Sequence, residues 1–472
     1  NRVIGMLTLG KPTDEHFRQE ILELAEDLSR RGTTPPVRTT PGSQEVKPLT
    51  LIRSSSALKA APIALLLVFA YYATDLGDDL RADPLGYSAT VVDAVLRNLL
   101  PVAFAVASGL AAWEARKLGA SGIWRLGAVR SRYTIAAQHL LPVVALAWLL
   151  LTLPTLCALV QTQVAPDLPG LTLLAFGLVL CVAHAIVGFA VGAAIRHIAV
   201  VPIVAVTDFL VIGWSTGLET PWPRHLTGLF AGKMMFGELP TAAALAAPLL
   251  LAVGSAVAMA LLWAPVSRWL RGAVASALVV ACAFGSFSLV GDWSYIGPRS
   301  TGHGAIACAG QSPRICLPEA RADRISALGG EAEATLETLR RAGLTAEPTS
   351  IRDTSLSLRY PEPSTKDDWT VPLGVGEATG TVRYQIAREV VRFDCAPPAT
   401  GPARQVYYWV SSKVGEADTY LRRLSSEPDF TPQERSRLQG RVGKVLRMSE
   451  ARQMAWYETT VAEACQEDGK TT

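Results

Sequence analysis

Charged residues are scarce in this sequence. They form 18% of its 472 residues, whereas soluble proteins average about a quarter, and 50% of the residues are hydrophobic. The net charge of +3 is too small to indicate a nucleic-acid partner. This composition excludes an ordinary soluble protein and predicts a membrane protein in contact with the lipid bilayer.

Motifs for catalysis, metal binding and nucleotide binding are also sparse. After residue 290 the chain has one histidine, His303, and no HExxH motif, which excludes the usual metallopeptidase site and predicts no metal site. Residues 5–12 (GMLTLGKP) match GxxxxGK, but Pro12 stands where a phosphate-binding loop needs Ser or Thr to bind magnesium. We therefore expect no cofactor in this chain.

The first 50 residues are polar and lack the continuous apolar core of a signal peptide. We expect the first spanning helix to target the chain to the membrane instead. Residues 13–31 have the apolar spacing of an amphipathic helix that ends before Gly32, and residues 31–48 are rich in Pro and Thr. Residues 1–48 are interpreted as a cytoplasmic helix, lying on the membrane or serving only a packing role, followed by a linker.

Seven apolar runs follow, each near the length of about 20 residues that crosses a hydrocarbon core roughly 30 Å thick. They cover residues 57–74, 94–113, 135–159, 171–195, 198–217, 240–264 and 270–290. The sequence therefore predicts an α-helical polytopic membrane protein with about seven spans.

A basic segment separates the second and third runs, between Trp113 and Leu140. Its charged residues are one acid and five bases: Glu114, Arg116, Lys117, Arg125, Arg130 and Arg132. Short loops rich in Lys and Arg beside a span remain in the cytoplasm, so this segment predicts the orientation of the chain in the cell membrane. The N-terminus is then cytoplasmic, and after seven crossings residues 291–472 are extracytoplasmic.

Four of the seven cysteines fall in this predicted outer region, an even number in an oxidising compartment. Of the three possible pairings, we favour Cys308 with Cys316, across a short loop, and Cys395 with Cys465, between distant helices. Helical spacing over residues 321–344, 379–393, 402–424 and 431–466, with strand-like alternation over 350–375, predicts a mainly helical, disulfide-containing domain. We interpret it as a binding or gating domain.

The basic segment resembles that of the membrane subunits of type-2 ABC exporters. In that family the second span ends in an acidic and basic cluster, followed by Gly, a short helix, a turn with Arg and the third span. The matching residues here are Glu114, Arg116, Lys117 and Gly119, then IWRLGAVRSRYTI with Arg125, Arg130 and Arg132. The resemblance covers residues 49–265, where PWPRHLTGLFAGKMMFGELP would correspond to partly inserted outer helices.

This resemblance implies a six-span permease domain at residues 49–265, with an additional seventh span at 266–290. It also implies a homodimer or heterodimer of permease chains and a separate ATPase that binds ATP and Mg. The segment from Glu114 to Arg132 would seat in a groove on that ATPase. The implied cargo is a hydrophobic or amphipathic molecule. The seventh span and the outer domain depart from the family pattern.

Two polar residues are expected at similar depth in the membrane. His184 lies 13 residues before His197, in the turn between the fourth and fifth runs, and Asp208 lies 11 residues after it. A carboxylate at this depth needs a partner, and we expect that partner to be His184. The pair is either part of a translocation path, a proton-sensitive switch, or a structural hydrogen bond. Nearby, Gly188 and Gly192 form GxxxG, which permits close helix approach at a dimer seam or within one subunit.

Two other functions remain open. GWSTG at residues 213–217 fits GxSxG, so Ser215 with His184 or His197 would make an intramembrane serine protease, although helical geometry separates both histidines from the serine. The other alternative is a membrane-anchored receptor or immunity protein whose spans only hold the outer domain. It predicts that no ATPase accompanies the chain.

Overall fold

A computed structural model describes residues 55–82, 86–125, 131–195, 197–230, 232–357, 359, 363–373 and 381–466. The predicted amphipathic helix, the linker and the GxxxxGK-like segment lie outside these residues, and so does Arg130.

The first part of the described chain is a bundle of apolar helices. In chain order they are α1 (Ser56–Tyr71), α2 (Gly77–Ala82), α3 (Ser88–Ala120), α4 (Arg132–Thr162), α5 (Leu168–Ala194), α6 (Val200–Ser215), α7 (Trp222–Leu226), α8 (Ala242–Leu261) and α9 (Arg268–Val290). A π-helical turn, Tyr72–Leu76, joins α1 to α2, so that helical structure continues beyond the predicted apolar run 57–74.

Six candidate membrane spans are found in the described residues: Ser56–Leu80, α3, α4, α5, α8 and α9. Six of the seven predicted apolar runs overlap these spans, and the run at 198–217 overlaps α6. The expectation of a polytopic helical membrane protein is therefore supported. A crossing by α6 stays a prediction, because its 16 residues extend only about 24 Å.

Five of the bundle helices begin at a residue suited to capping. The N-cap side chains, each of which accepts a hydrogen bond from a backbone amide of the first turn, are Ser55, Ser131, Asp167, Thr241 and Ser267. The first amides of a helix have no hydrogen-bond acceptor within that helix, so these caps satisfy some of them and mark where the helices start.

Helix α3 lies at the centre of the bundle. Of the 18 residues in its most apolar part, 67% are buried, compared with 11% in Ser56–Leu80 and 17% in α9. Gly188 and Gly192 of α5 face the backbone of Ser108 and Ala112 in α3, and a Cβ added at Gly188 would lie 2.2 Å from the Ser108 carbonyl oxygen. The GxxxG motif therefore permits the close approach of α5 to α3 within this chain.

The bundle has two distinguishable ends. At the first, which we call the domain end, Ser88 of α3 contacts the start of α5, and β1 (Leu239–Pro240) pairs antiparallel with β2 (Arg299–Ser300). At the opposite end, the far end, the Tyr133 hydroxyl at the start of α4 donates to the Ala260 carbonyl near the end of α8 at 2.9 Å. The C-terminal domain, residues 291–466 as described, thus attaches at the domain end.

The C-terminal domain combines a small sheet with helices. Its strands, in spatial order, are β3 (Ile306–Ala309), β4 (Arg314–Pro318), β5 (Ser350–Asp353) and β6 (Asp368–Val371). The β3–β4 pair is antiparallel, and the β4–β5 and β5–β6 pairs are parallel. The helices are α10 (Ile325–Arg341), α11 (Val382–Glu389), α12 (Thr400–Lys413), α13 (Ala417–Leu424), α14 (Pro432–Leu446) and α15 (Glu450–Gln466).

The four predicted helical stretches correspond to α10–α15, and the alternation at 350–375 corresponds to β5 and β6. Strands β3 and β4 were not predicted, because four of the five residues of β4 are buried and leave no alternating pattern. Both favoured disulfides form: Cys308 bonds to Cys316 across β3 and β4, and Cys395 bonds to Cys465 at the end of α15.

Candidate functional site

The segment from Glu114 to Arg132, predicted to contact the ATPase and called the coupling segment below, begins at a buried carboxylate near the end of α3. Glu114 accepts a hydrogen bond from the Ser56 backbone amide at 2.7 Å, and its Oε2 lies 3.0 Å from Lys117 Nζ. His139 Nδ1 of α4 is 3.3 Å from the same oxygen. A single side chain therefore joins α1, α3 and α4 at the far end.

This burial changes the role expected of Glu114. Because the side chain is fully buried, it acts inside the bundle and leaves the surface of the segment to its neighbours. Gly119 and Arg132 are exposed, and Arg116 and Lys117 are half-buried. The side chain of Arg125 lies outside the described residues, as Arg130 does.

An aromatic cluster connects the coupling segment to the rest of the far end. The Trp263 ring lies 5.7 Å from that of Trp124, in the short 3-10 helix of the segment, and 6.3 Å from that of Tyr133. It also contacts Phe189 of α5 edge to face at 5.5 Å. Tyr133, Phe189 and Trp263 line an apolar cavity of about 260 Å³ between α4, α5 and α8.

The structure brings the two predicted intramembrane polar residues together. His184 Nδ1 of α5 lies 2.9 Å from Asp208 Oδ2 of α6. Phe104 of α3 stacks on the His184 ring with centroids 4.2 Å apart. The pair therefore tethers the short helix α6 to α5, beside the central helix.

Ser215 has the surroundings of a structural serine. It lies within α6 and not on a sharp strand-to-helix turn, and its hydroxyl donates to the Ile212 carbonyl at 2.7 Å. Its other hydrogen-bond neighbour is Thr227, at 3.3 Å. His184 bonds to Asp208, and His197 Nδ1 accepts from the Ala199 amide at 3.2 Å. Neither of the two histidines considered as a base therefore hydrogen-bonds to Ser215.

Another buried carboxylate, Glu238, lies at the domain end, where no local motif in the sequence predicts a site. Glu238 Oε2 accepts from Arg299 at 2.8 Å and from Arg359 at 2.7 Å, and it also accepts from the Met235 amide at 2.9 Å. Burial raises the pKa of Glu238, but these donors lower it by more, so the pKa lies below its usual value. The arginines are 61 and 121 residues away in sequence, which is why no motif identifies the cluster.

The loop before Glu238 packs into the bundle. Met234 is fully buried, and its amide donates to Asp93 of α3 at 3.3 Å. Phe230 stacks on Phe176 of α5 with centroids 5.6 Å apart. The described residues of the segment 221–240, expected to form partly inserted outer helices, thus include one short helix, α7, the strand β1 and a loop that contacts α3 and α5.

The described residues contain no group of three or more His, Cys, Asp or Glu side chains that could hold a metal ion. Comparisons of the chain with protein-family models, with curated proteins and with solved structures found no match.

Proposed function

We propose that this chain is the membrane subunit of an ATP-driven exporter of the type-2 ABC class. A separate ATPase binds ATP and Mg and seats on the coupling segment, and a second permease chain completes the transporter. The single observation that carries this proposal is the buried contact of Glu114 with Ser56, Lys117 and His139.

That contact supplies a mechanical link. Helix α3 has 33 residues and is about 50 Å long, which exceeds the hydrocarbon core of roughly 30 Å. At the far end it carries Glu114, and at the domain end Asp93 accepts from the Met234 amide. A displacement of the coupling segment by the ATPase therefore moves α1, α3 and α4 together and reaches the domain end.

The far-end cavity supports a hydrophobic or amphipathic cargo. Its lining consists of apolar and aromatic residues, and one of them, Tyr133, follows the exposed Arg132 of the coupling segment. Movement of this segment would change the shape of the cavity. Cargo from the bilayer or its inner face would bind there first.

The chain path supports a membrane crossing by α6. Helix α5 ends at the far end, α6 follows a short turn, and α8 starts at the domain end. With seven crossings, the basic segment is cytoplasmic and the C-terminal domain is extracytoplasmic, as the positive-inside rule requires.

The test is purification of the tagged chain from its native membrane in mild detergent, followed by identification of bound proteins. Reversing the charge of Glu114 would disturb the bundle itself, because this side chain is buried. The informative variant is therefore Gly119→Asp combined with Arg132→Glu, since both positions are exposed. Arg268→Glu is the matched control, because Arg268 is an exposed arginine at the start of α9, outside the segment.

We expect an ABC ATPase in stoichiometric amount with the parent and the control, and its loss with the double variant. If an intact, folded parent chain brings no ATPase, the transporter proposal is wrong. That outcome would favour a membrane-anchored receptor or immunity protein, for which the Glu238 cluster fixes the C-terminal domain to the bundle.

A further inference from the structure

The helical layer of the C-terminal domain contains a cavity with an unusual lining. It has a volume of about 460 Å³ and lies between α11, α12 and α13. Its walls include three tyrosines and three arginines: Tyr384, Tyr407, Tyr420, Arg388, Arg404 and Arg423. This volume falls within the range of about 300 to 1,000 Å³ that small-molecule sites occupy.

The arginines lie against the tyrosine rings. The guanidinium carbon of Arg423 is 5.2 Å from the Tyr384 ring centroid, and that of Arg388 is 5.4 Å from the Tyr407 centroid. A guanidinium group placed over a ring is held in one plane, and its fork of N–H donors matches an oxyanion in two-point contact. The cavity therefore presents oriented cationic donors beside aromatic walls.

One acid, Glu427, lines the cavity, and it and the nearby Asp429 pair with the third arginine. Arg404 Nη2 lies 2.6 Å from Glu427 and 2.9 Å from Asp429. Among the described residues no carboxylate pairs with Arg388. The charge balance of the lining thus favours an anion.

Two further features add to this preference. Thr400, the first residue of the 14-residue helix α12, lines the cavity, and helix N-termini attract negative charge. The phenol groups of Tyr407 and Tyr420 are protonated at neutral pH, as tyrosine ordinarily is, and burial raises the pKa of both further, so they can donate to an oxyanion.

We propose that this cavity binds a small molecule that carries an oxyanion, a phosphomonoester or a carboxylate, on an aromatic or other apolar ring. Arg388 and Arg423 contact the oxyanion, and the ring packs between the tyrosines. The inference does not depend on the transport proposal, because the cavity lies entirely within the C-terminal domain.

The experiment is isothermal titration calorimetry on the purified full-length chain with phenyl phosphate, benzoate and neutral benzamide. We expect phenyl phosphate or benzoate to bind, with the tighter of the two identifying the oxyanion, and benzamide to bind much more weakly. Arg388→Gln and Arg423→Gln should each weaken binding by about tenfold or more.

Two neighbouring arginines provide matched controls. Arg383 lies on α11 and Arg422 on α13, both are exposed, and neither lines the cavity. Arg383→Gln and Arg422→Gln should leave affinity unchanged. The proposal is overturned if neither anion binds, if benzamide binds equally well, or if the control variants weaken binding as much as the cavity variants do.

Discussion

The helical bundle and the C-terminal domain are stabilised in different ways. In the bundle, helices approach until backbone meets backbone, as where Gly188 faces Ser108. In the C-terminal domain the most deeply buried large side chains are aromatic, with Trp369, Trp409 and Tyr384 almost fully enclosed. In lipid no hydrophobic effect drives helices together, so close approach must supply the attraction, whereas in water aromatic burial supplies it.

The two regions also differ in covalent cross-links. Both disulfides belong to the C-terminal domain, while the three free cysteines, Cys157, Cys181 and Cys282, lie in bundle helices. The bilayer already restricts the unfolded states of the bundle. The C-terminal domain has no such restraint, and cross-linking limits its unfolded chain instead.

The largest predicted effect concerns the long disulfide. Replacing Cys395 and Cys465 by Ser should lower the free energy of unfolding of the C-terminal domain by about 4 kcal/mol, because the bond closes a loop with a sequence separation of 70. The same change at Cys308 and Cys316, separated by 8, should cost about 2.5 kcal/mol. Denaturant unfolding followed by tryptophan fluorescence compares them. Equal losses would contradict an origin in loop entropy.

The second-largest predicted effect concerns the junction between the bundle and the C-terminal domain. Glu238→Gln should destabilise the attachment of the C-terminal domain by about 3 kcal/mol, because it leaves Arg299 and Arg359 without their carboxylate, and Arg299 is deeply buried. Protease accessibility of the residues around β1 and β2 reports this attachment. Arg340→Gln, at an exposed ion pair, is the control and should change it little.

The same cluster gives a pH dependence. Since folding lowers the pKa of Glu238, its stabilisation is fully present above the unfolded glutamate pKa of about 4.3 and is lost as the pH falls through the lower folded value. The parent junction should therefore persist at pH 5 to 7 and weaken only in stronger acid. The Gln variant should lose this component of the acid dependence, and an unchanged acid profile would contradict the assignment.

A smaller effect is expected from close packing in the bundle. Gly188→Ala should destabilise the bundle by about 2 kcal/mol, since the new methyl group meets the Ser108 backbone. Gly285→Ala in α9 has open space around the new methyl group and should be neutral or slightly stabilising. Thermal stability of both variants in the same detergent separates the cases. Equal melting temperatures would show that the α3–α5 contact relaxes freely.

The sequence predicts features that depend on local pattern. Apolar runs identify the bundle helices, and the helical rise predicts that His184 and Asp208 lie at similar depth, where they pair. It does not predict whether a charged side chain is buried. The sequence pattern assigns Glu114 to a basic surface segment. Its burial against Ser56 depends on how α1 and α4 converge, and that convergence has no local sequence signal. The Glu238 cluster and the Arg388 cavity likewise assemble residues that are distant in the chain.

The smallest predicted effect distinguishes the two roles of the intramembrane pair. Asp208→Ala and His184→Ala each remove the contact, so the pairwise term in their double-mutant cycle should be about 0.6 kcal/mol. Asp208→Asn keeps a hydrogen-bonding group opposite His184 and removes only the charge. If the His184–Asp208 hydrogen bond is only structural, the Asp208→Asn variant should retain transport with an unchanged pH profile. A proton-sensitive switch predicts that Asn removes the pH dependence of transport while the cycle energy stays small, because the switch depends on the charge and not on the stability of the α5–α6 contact.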